Sequence, residues 1–138
     1  MKKFEAQVSL MTGKSDKEIW DIWTDIANWT KWDDSTKVEI DGAFQVGSTI
    51  RCHTEGDDEP RCMTIVSVKE NEEFTDQTVL PFGKITTSHI IKSFEGNIQV
   101  THKIVAEMND DMAAMFGTEI FPHIQSGIFE ALNRLINL

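Results

Sequence analysis

From Lys37 onward the chain alternates apolar and polar residues with a two-residue period for about seventy residues, a pattern that fits half-buried antiparallel strands and little else. Six strands can be counted, at 37–41, 48–55, 61–69, 73–80, 84–95 and 98–107. Each break has turn chemistry: Asp41-Gly42 with Gly47, the acidic tip EGDDEP, Glu70-Asn71-Glu72, Pro81-Phe82-Gly83, and Gly96-Asn97. Connections this short predict a meander.

Residues 3–11 add a further strand, with Phe4, Ala6, Val8 and Leu10 on one side. After the turn Thr12-Gly13-Lys14, Ser15 and Glu18 have capping-box spacing at the start of a helix. Its apolar stripe is Ile19, Ile22, Trp23 and Ile26, with Trp20 at the edge. The following ANWTKWDD is poor in helix formers and predicts a short second helix or turn carrying Trp29 and Trp32.

Residues 109–138 return to helical spacing, with Met112, Phe116, Ile120, Ile124, Ile128, Leu132 and Leu135 along one side. Asn109 or Asp110 can cap this helix, and Gly117 and Pro122 predict a kink or break within it. A sheet with one apolar face and one strongly apolar helix have to bury each other, so the fold class is α+β.

A length of 138 residues is about one domain, residues 1–138. The net charge of −10 opposes a phosphate backbone or an anionic bilayer, and no basic cluster overrides it, so a nucleic-acid partner is not expected. Glu5 and Gln7 interrupt what would be the apolar core of a signal peptide, and no run reaches spanning length. The expectation is a cytoplasmic protein without stable membrane insertion.

Two cysteines, Cys52 and Cys62, are too few for a disulfide framework and are read as reduced thiols. If Gly56-Asp57-Asp58 forms a three-residue hairpin loop, they face each other on neighbouring strands. Adding His53 for a zinc site fails, because on an extended strand it points away from Cys52.

The order strand, two short helices, six-strand meander and long helix, with the segment DKEIWDIWTDIANWTKW followed by DGAFQVGSTI, resembles the SRPBCC superfamily, also called START-like or birch-allergen-like. The nearest branch is similar to the polyketide cyclase/dehydrase and lipid-transport group. The resemblance rests on the aromatic at Trp20, Asp25, the pair Trp29 and Trp32, and Gly47 before the third strand. It implies a helix-grip fold: a curved seven-stranded antiparallel sheet wrapped around the C-terminal helix, with two short helices between strands 1 and 2. It also implies a cavity between sheet and helix. Family members bind lipids, hormones, polyketides or aromatic rings, and a minority are enzymes, so fold alone does not decide function.

His89 and His102 are the most informative polar pair. With Gly96-Asn97 as a two-residue turn, His89 faces Ile104 and His102 faces Ile91, making the histidines diagonal neighbours on one face. That face also carries Ile85, Ile91, Val100 and Ile104 and is expected to turn towards the helix. There they either orient a ligand or act as acid and base, or they are hydrogen-bonded histidines in a partly wet interior. Met112, Met115, Phe116 and Ile120 form an adaptable apolar wall, read either as ligand contacts or as core. Trp29 and Trp32 share that ambiguity, with Trp32 at the cavity mouth and Trp20 and Trp23 packed under the helices. Asp33 and Asp34 are read as turn carboxylates rather than a cation site.

The leading functional expectation is binding of a small hydrophobic molecule, a lipid, fatty acid or aromatic polyketide-like compound, through Trp29, Trp32, His89, His102, Met112, Met115, Phe116 and Ile120. The alternatives are a cyclase- or dehydratase-like enzyme using His89 and His102, and a protein-binding module. No cofactor and no metal are called for, since no phosphate loop, nucleophile elbow or paired zinc motif is present. The histidine and carboxylate iron triad of the ring-hydroxylase branch lies on helices and is not matched by strand histidines.

Overall fold

The computed structural model describes residues 1–138. It opens with β1 (Lys2–Thr12), α1 (Asp16–Thr24) and a 3-10 turn (Ile26–Lys31). Strands β2 (Lys37–Ile40), β3 (Thr49–His53), β4 (Arg61–Lys69), β5 (Glu73–Leu80), β6 (Gly83–Phe94) and β7 (Asn97–Met108) follow. The chain closes with α2 (Asp110–Met115), a π-helical turn (Phe116–Ile120) and α3 (Phe121–Ile136). The seven strands form one antiparallel sheet in the order β1-β7-β6-β5-β4-β3-β2, a meander to which β1 adds beyond the last strand. This is the α+β arrangement that the alternation and the helical spacing predict.

Local chemistry sets the helix boundaries. The Ser15 hydroxyl accepts from the Glu18 amide at 3.1 Å while the Glu18 carboxylate accepts from the Ser15 amide at 3.3 Å, the reciprocal capping box. The break predicted near Gly117 and Pro122 is a π-helical turn with one extra residue, after which Pro122 sits in the first turn of α3. Gly117 is needed there: a Cβ would lie 2.8 Å from the Phe4 ring.

Two registers differ from expectation. The β6–β7 turn is centred on Glu95 and Gly96, both with positive φ (49° and 81°), instead of Gly96 and Asn97. Pairing therefore moves, and His89 lies directly opposite His102 rather than diagonal to it. Between β3 and β4, Cys52 pairs with Arg61 and Arg51 with Cys62. A one-residue step reverses the face, so Cys52 is buried, Cys62 is exposed, and the two thiols do not face each other.

Apolar packing divides into two clusters. The larger gathers Trp20, Trp23, Trp29, Trp32, Phe74, Ile91, Val100, Leu132 and Leu135 beneath α1 and the end of α3. The smaller gathers Ile104, Ala106, Met108, Phe116 and Phe121 around Phe4. The inward faces of the central strands explain the division. β5 presents Phe74, Asp76 and Thr78; β6 presents Ile85, Thr87, His89 and Ile91; β7 presents Val100, His102 and Ile104. Polar residues thus occupy the middle of the face, where α3 cannot close an apolar seam against them.

Candidate functional site

Between the clusters lies a cavity of about 440 Å³. Its apolar walls are Trp29 and Trp32 at one side, Met63, Ile85 and Ile104 on the sheet, and Ile120, Ile124 and Ile128 on the helical side. Its polar floor is Asp76, Thr78, Thr87, His89 and His102, joined by Arg61 from β4 and Asp33 from the loop before β2. Glu119, His123, Glu130 and Arg134 line the side along α3.

Five of the eight residues expected to contact a ligand, Trp29, Trp32, His89, His102 and Ile120, border this space. Met112, Met115 and Phe116 do not, which corrects the apolar wall drawn from the continuous helical stripe. The cause is the π-helical turn, whose extra residue rotates the helix. Phe116 and Phe121, five positions apart, both pack on Phe4 at ring centroid distances of 5.3 and 5.5 Å. Met115 is exposed and Met112 is half-buried, outside the cavity lining.

The tryptophans divide in function as well as position. Trp20 and Trp23 are core, Trp23 being fully buried with its ring 5.5 Å from Phe74. Trp29 and Trp32 stand 5.0 Å apart, tilted by 53°. The Trp29 indole Nε1 donates to the Trp23 carbonyl oxygen at 2.7 Å, which fixes the 3-10 turn to the end of α1.

The histidine pair is buried, with ring centroids 4.9 Å apart and nearly perpendicular. Burial, and then the neighbouring His102, pushes His89 well below its ordinary 6.5. Burial alone lowers His102 to about 3. Both rings are therefore neutral at physiological pH. The Phe74 carbonyl oxygen accepts from His89 Nδ1 at 3.2 Å, which leaves Nε2 as a lone-pair acceptor. His102 Nε2 and Trp32 Nε1 are buried without a hydrogen-bond partner in the protein.

Sequence reasoning misses Asp76 and Arg61. Asp76 is 2% exposed, and no side-chain hydrogen bond or ion pair satisfies its carboxylate. Burial raises it to about 7, against the opposing pull of Arg61. Asp33 is also raised by burial, although Ser35 Oγ donates to it at 2.7 Å. The ion pairs of the protein are surface contacts such as Lys17–Asp21, and Arg61 takes part in none. The available signal is parity: Asp76 shares the face of Phe74, and Arg61 that of Met63 and Ile65. No group of three His, Cys, Asp or Glu side chains is placed to hold a metal ion.

No family model and no curated protein matches the chain. Solved structures do match over almost its whole length. Norcoclaurine synthase from Thalictrum flavum superposes with a TM-score of 0.73 at 12% identity, covering 99% of this chain and 86% of that one. The di-domain ARO/CYC StfQ of the steffimycin biosynthetic pathway gives 0.76 at 6% identity, over 98% of this chain and 50% of that one. The Aha1 dimer from Colwellia psychrerythraea gives 0.71 at 16% identity, over 97% and 94%. The fold they share with this chain is the helix grip, a seven-stranded antiparallel sheet with a long C-terminal helix. In this helix grip the gripped helix is α3, and the polar floor lies on the strands facing it. Identities this low speak for the fold alone.

Proposed function

We propose that this helix-grip protein binds a small, largely hydrophobic molecule, a lipid, fatty acid or aromatic polyketide-like compound, between the sheet and α3. The observation that supports this most directly is the cavity of about 440 Å³ with apolar walls and a few convergent polar groups. Small-molecule sites have that size and that mixture, the walls supplying affinity and the polar groups orientation. The paired indoles of Trp29 and Trp32 offer flat aromatic surface, and the α3 isoleucines face them across the space.

A cyclase-like reaction with His89 and His102 as acid and base has less support. An imidazole held at about 3, as His102 is, is a weak base and has no imidazolium form at neutral pH to act as a general acid. The two rings serve the binding reading as a neutral donor and acceptor pair instead.

A screen of fatty acids, lysolipids and aromatic compounds by tryptophan emission and native mass spectrometry tests the proposal. At least one micromolar binder is expected. Failure of every class to bind, with the protein folded and monodisperse, overturns it.

A further inference from the structure

We propose that the ligand carries a protonated amine, bound by the Asp76 carboxylate on the floor of the cavity while its apolar body lies against Trp29, Trp32 and the α3 isoleucines. This rests on the cavity-binding reading above and narrows it to a chemical class.

The Asp76 carboxylate lacks a partner. It is 2% exposed, borders the cavity and has no hydrogen bond or ion pair within the protein. A buried carboxylate is normally paired, because desolvation costs several kcal/mol unless a donor or cation compensates. Arg61 is the obvious internal partner and does not contact it; its influence reaches Asp76 only through space. Both residues line the cavity. A ligand ammonium beside Asp76 would supply the missing charge-assisted hydrogen bonds.

The surroundings select a cation over an anion. Carboxylates outnumber guanidiniums five to two among the lining residues. Asp33 acts on Asp76 in the direction of a second nearby negative charge. The neutral His89 offers the Nε2 lone pair as an acceptor once its Nδ1 proton is committed to the Phe74 carbonyl. A fatty-acid carboxylate in the same place would find Arg61 but would also face Asp76 and Asp33.

The test uses three probes with the same apolar body, phenylbutylamine, phenylbutanol and phenylbutyrate, titrated into the wild-type protein by calorimetry near neutral pH. The amine is expected to bind at least about tenfold more tightly than the alcohol, with the carboxylate weakest. In Asp76→Asn the ratio of amine to alcohol affinity is expected to fall to about one. Equal or tighter binding of the alcohol or carboxylate by wild type overturns the amine assignment and leaves cavity binding standing. Retention of the amine preference by a folded Asp76→Asn also overturns it. If none of the three probes binds wild type, the amine assignment falls, and the broader ligand screen decides the cavity reading separately.

Discussion

The Phe74 ring lies flat on the His89 imidazole, with centroids 3.8 Å apart and planes within 5°. The same residue's carbonyl accepts the His89 Nδ1 proton, so Phe74 both stacks on the ring and sets its tautomer. A proton added to this ring, or to His102 beside it, would create a charge among Trp23, Phe74 and Trp32.

Acid should therefore weaken the fold. His89 and His102 titrate below their ordinary 6.5 in the folded state, His102 at about 3, so the unfolded chain binds more protons in that window. The histidine contribution to stability is complete above 6.5 and is lost as pH falls from there towards 3. Urea midpoints measured across this range should fall with acidification, and His102→Asn should flatten the slope.

Asp76 has the opposite sign. Its folded-state value, about 7, lies above the ordinary 3.8, so the folded protein binds the extra proton between them and the ionised carboxylate destabilises the fold above 7. Asp76→Asn is expected to gain on the order of 2 kcal/mol at alkaline pH, and the gain should vanish as pH falls through 7 towards 3.8. Thermal melts at several pH values check both the direction and the window. A variant more stable than wild type that binds amines less well would place Asp76 among residues kept for binding at a cost in stability.

Trp29 and Trp32 should report ligand, and Trp20 and Trp23 should not, because only the first pair borders the cavity. Trp32→Phe is expected to remove roughly half of the ligand-induced change in emission. Trp29→Phe should also cost about 1–3 kcal/mol, since it leaves the buried Trp23 carbonyl without its 2.7 Å donor. Paired fluorescence titrations and denaturant melts separate the two effects.

Two glycines make a contrasting pair. A Cβ at Gly83 would overlap the Glu107 carbonyl oxygen and lie 2.7 Å from Met108 Sδ, so Gly83→Ala must distort the β6–β7 ladder and should destabilise by about 1–3 kcal/mol. At Gly127, within α3 and bordering the cavity, an added Cβ would have nothing within 4 Å. Gly127→Ala should stabilise by up to about 1 kcal/mol through helix propensity while narrowing the cavity. Denaturation and ligand affinity measured together distinguish the pair.

The sheet was legible because alternation and turn residues act locally: β4 and β5 begin and end where their patterns do. Register was less so. The β6–β7 turn places Glu95 in the left-handed region, a conformation that nothing about glutamate advertises and that the flanking strands impose. The histidines were visible because imidazoles are conspicuous among isoleucines. Asp76 was not, because an aspartate in a polar strand such as EFTDQTVL passes for a solvent-facing residue until its parity with Phe74 is weighed. Gly117 and Pro122 marked a break in the last helix, but not that it is a π-helical turn bringing both Phe116 and Phe121 onto Phe4, more than a hundred positions away, and leaving Met112, Met115 and Phe116 outside the cavity lining.

The position of β1 bears on how the molecule comes into being. Its only strand partner is β7, with Lys2 opposite Met108 and Thr12 opposite Ile98. β1 thus cannot pair until β7 is available, and closing so long a loop ranks among the slow steps of folding. Until then β1 has its backbone hydrogen-bonding groups unpaired and its apolar face uncovered by α3. A chain in that state is open to aggregation and to chaperone capture, and ligand can stabilise only the form in which the sheet and α3 have met.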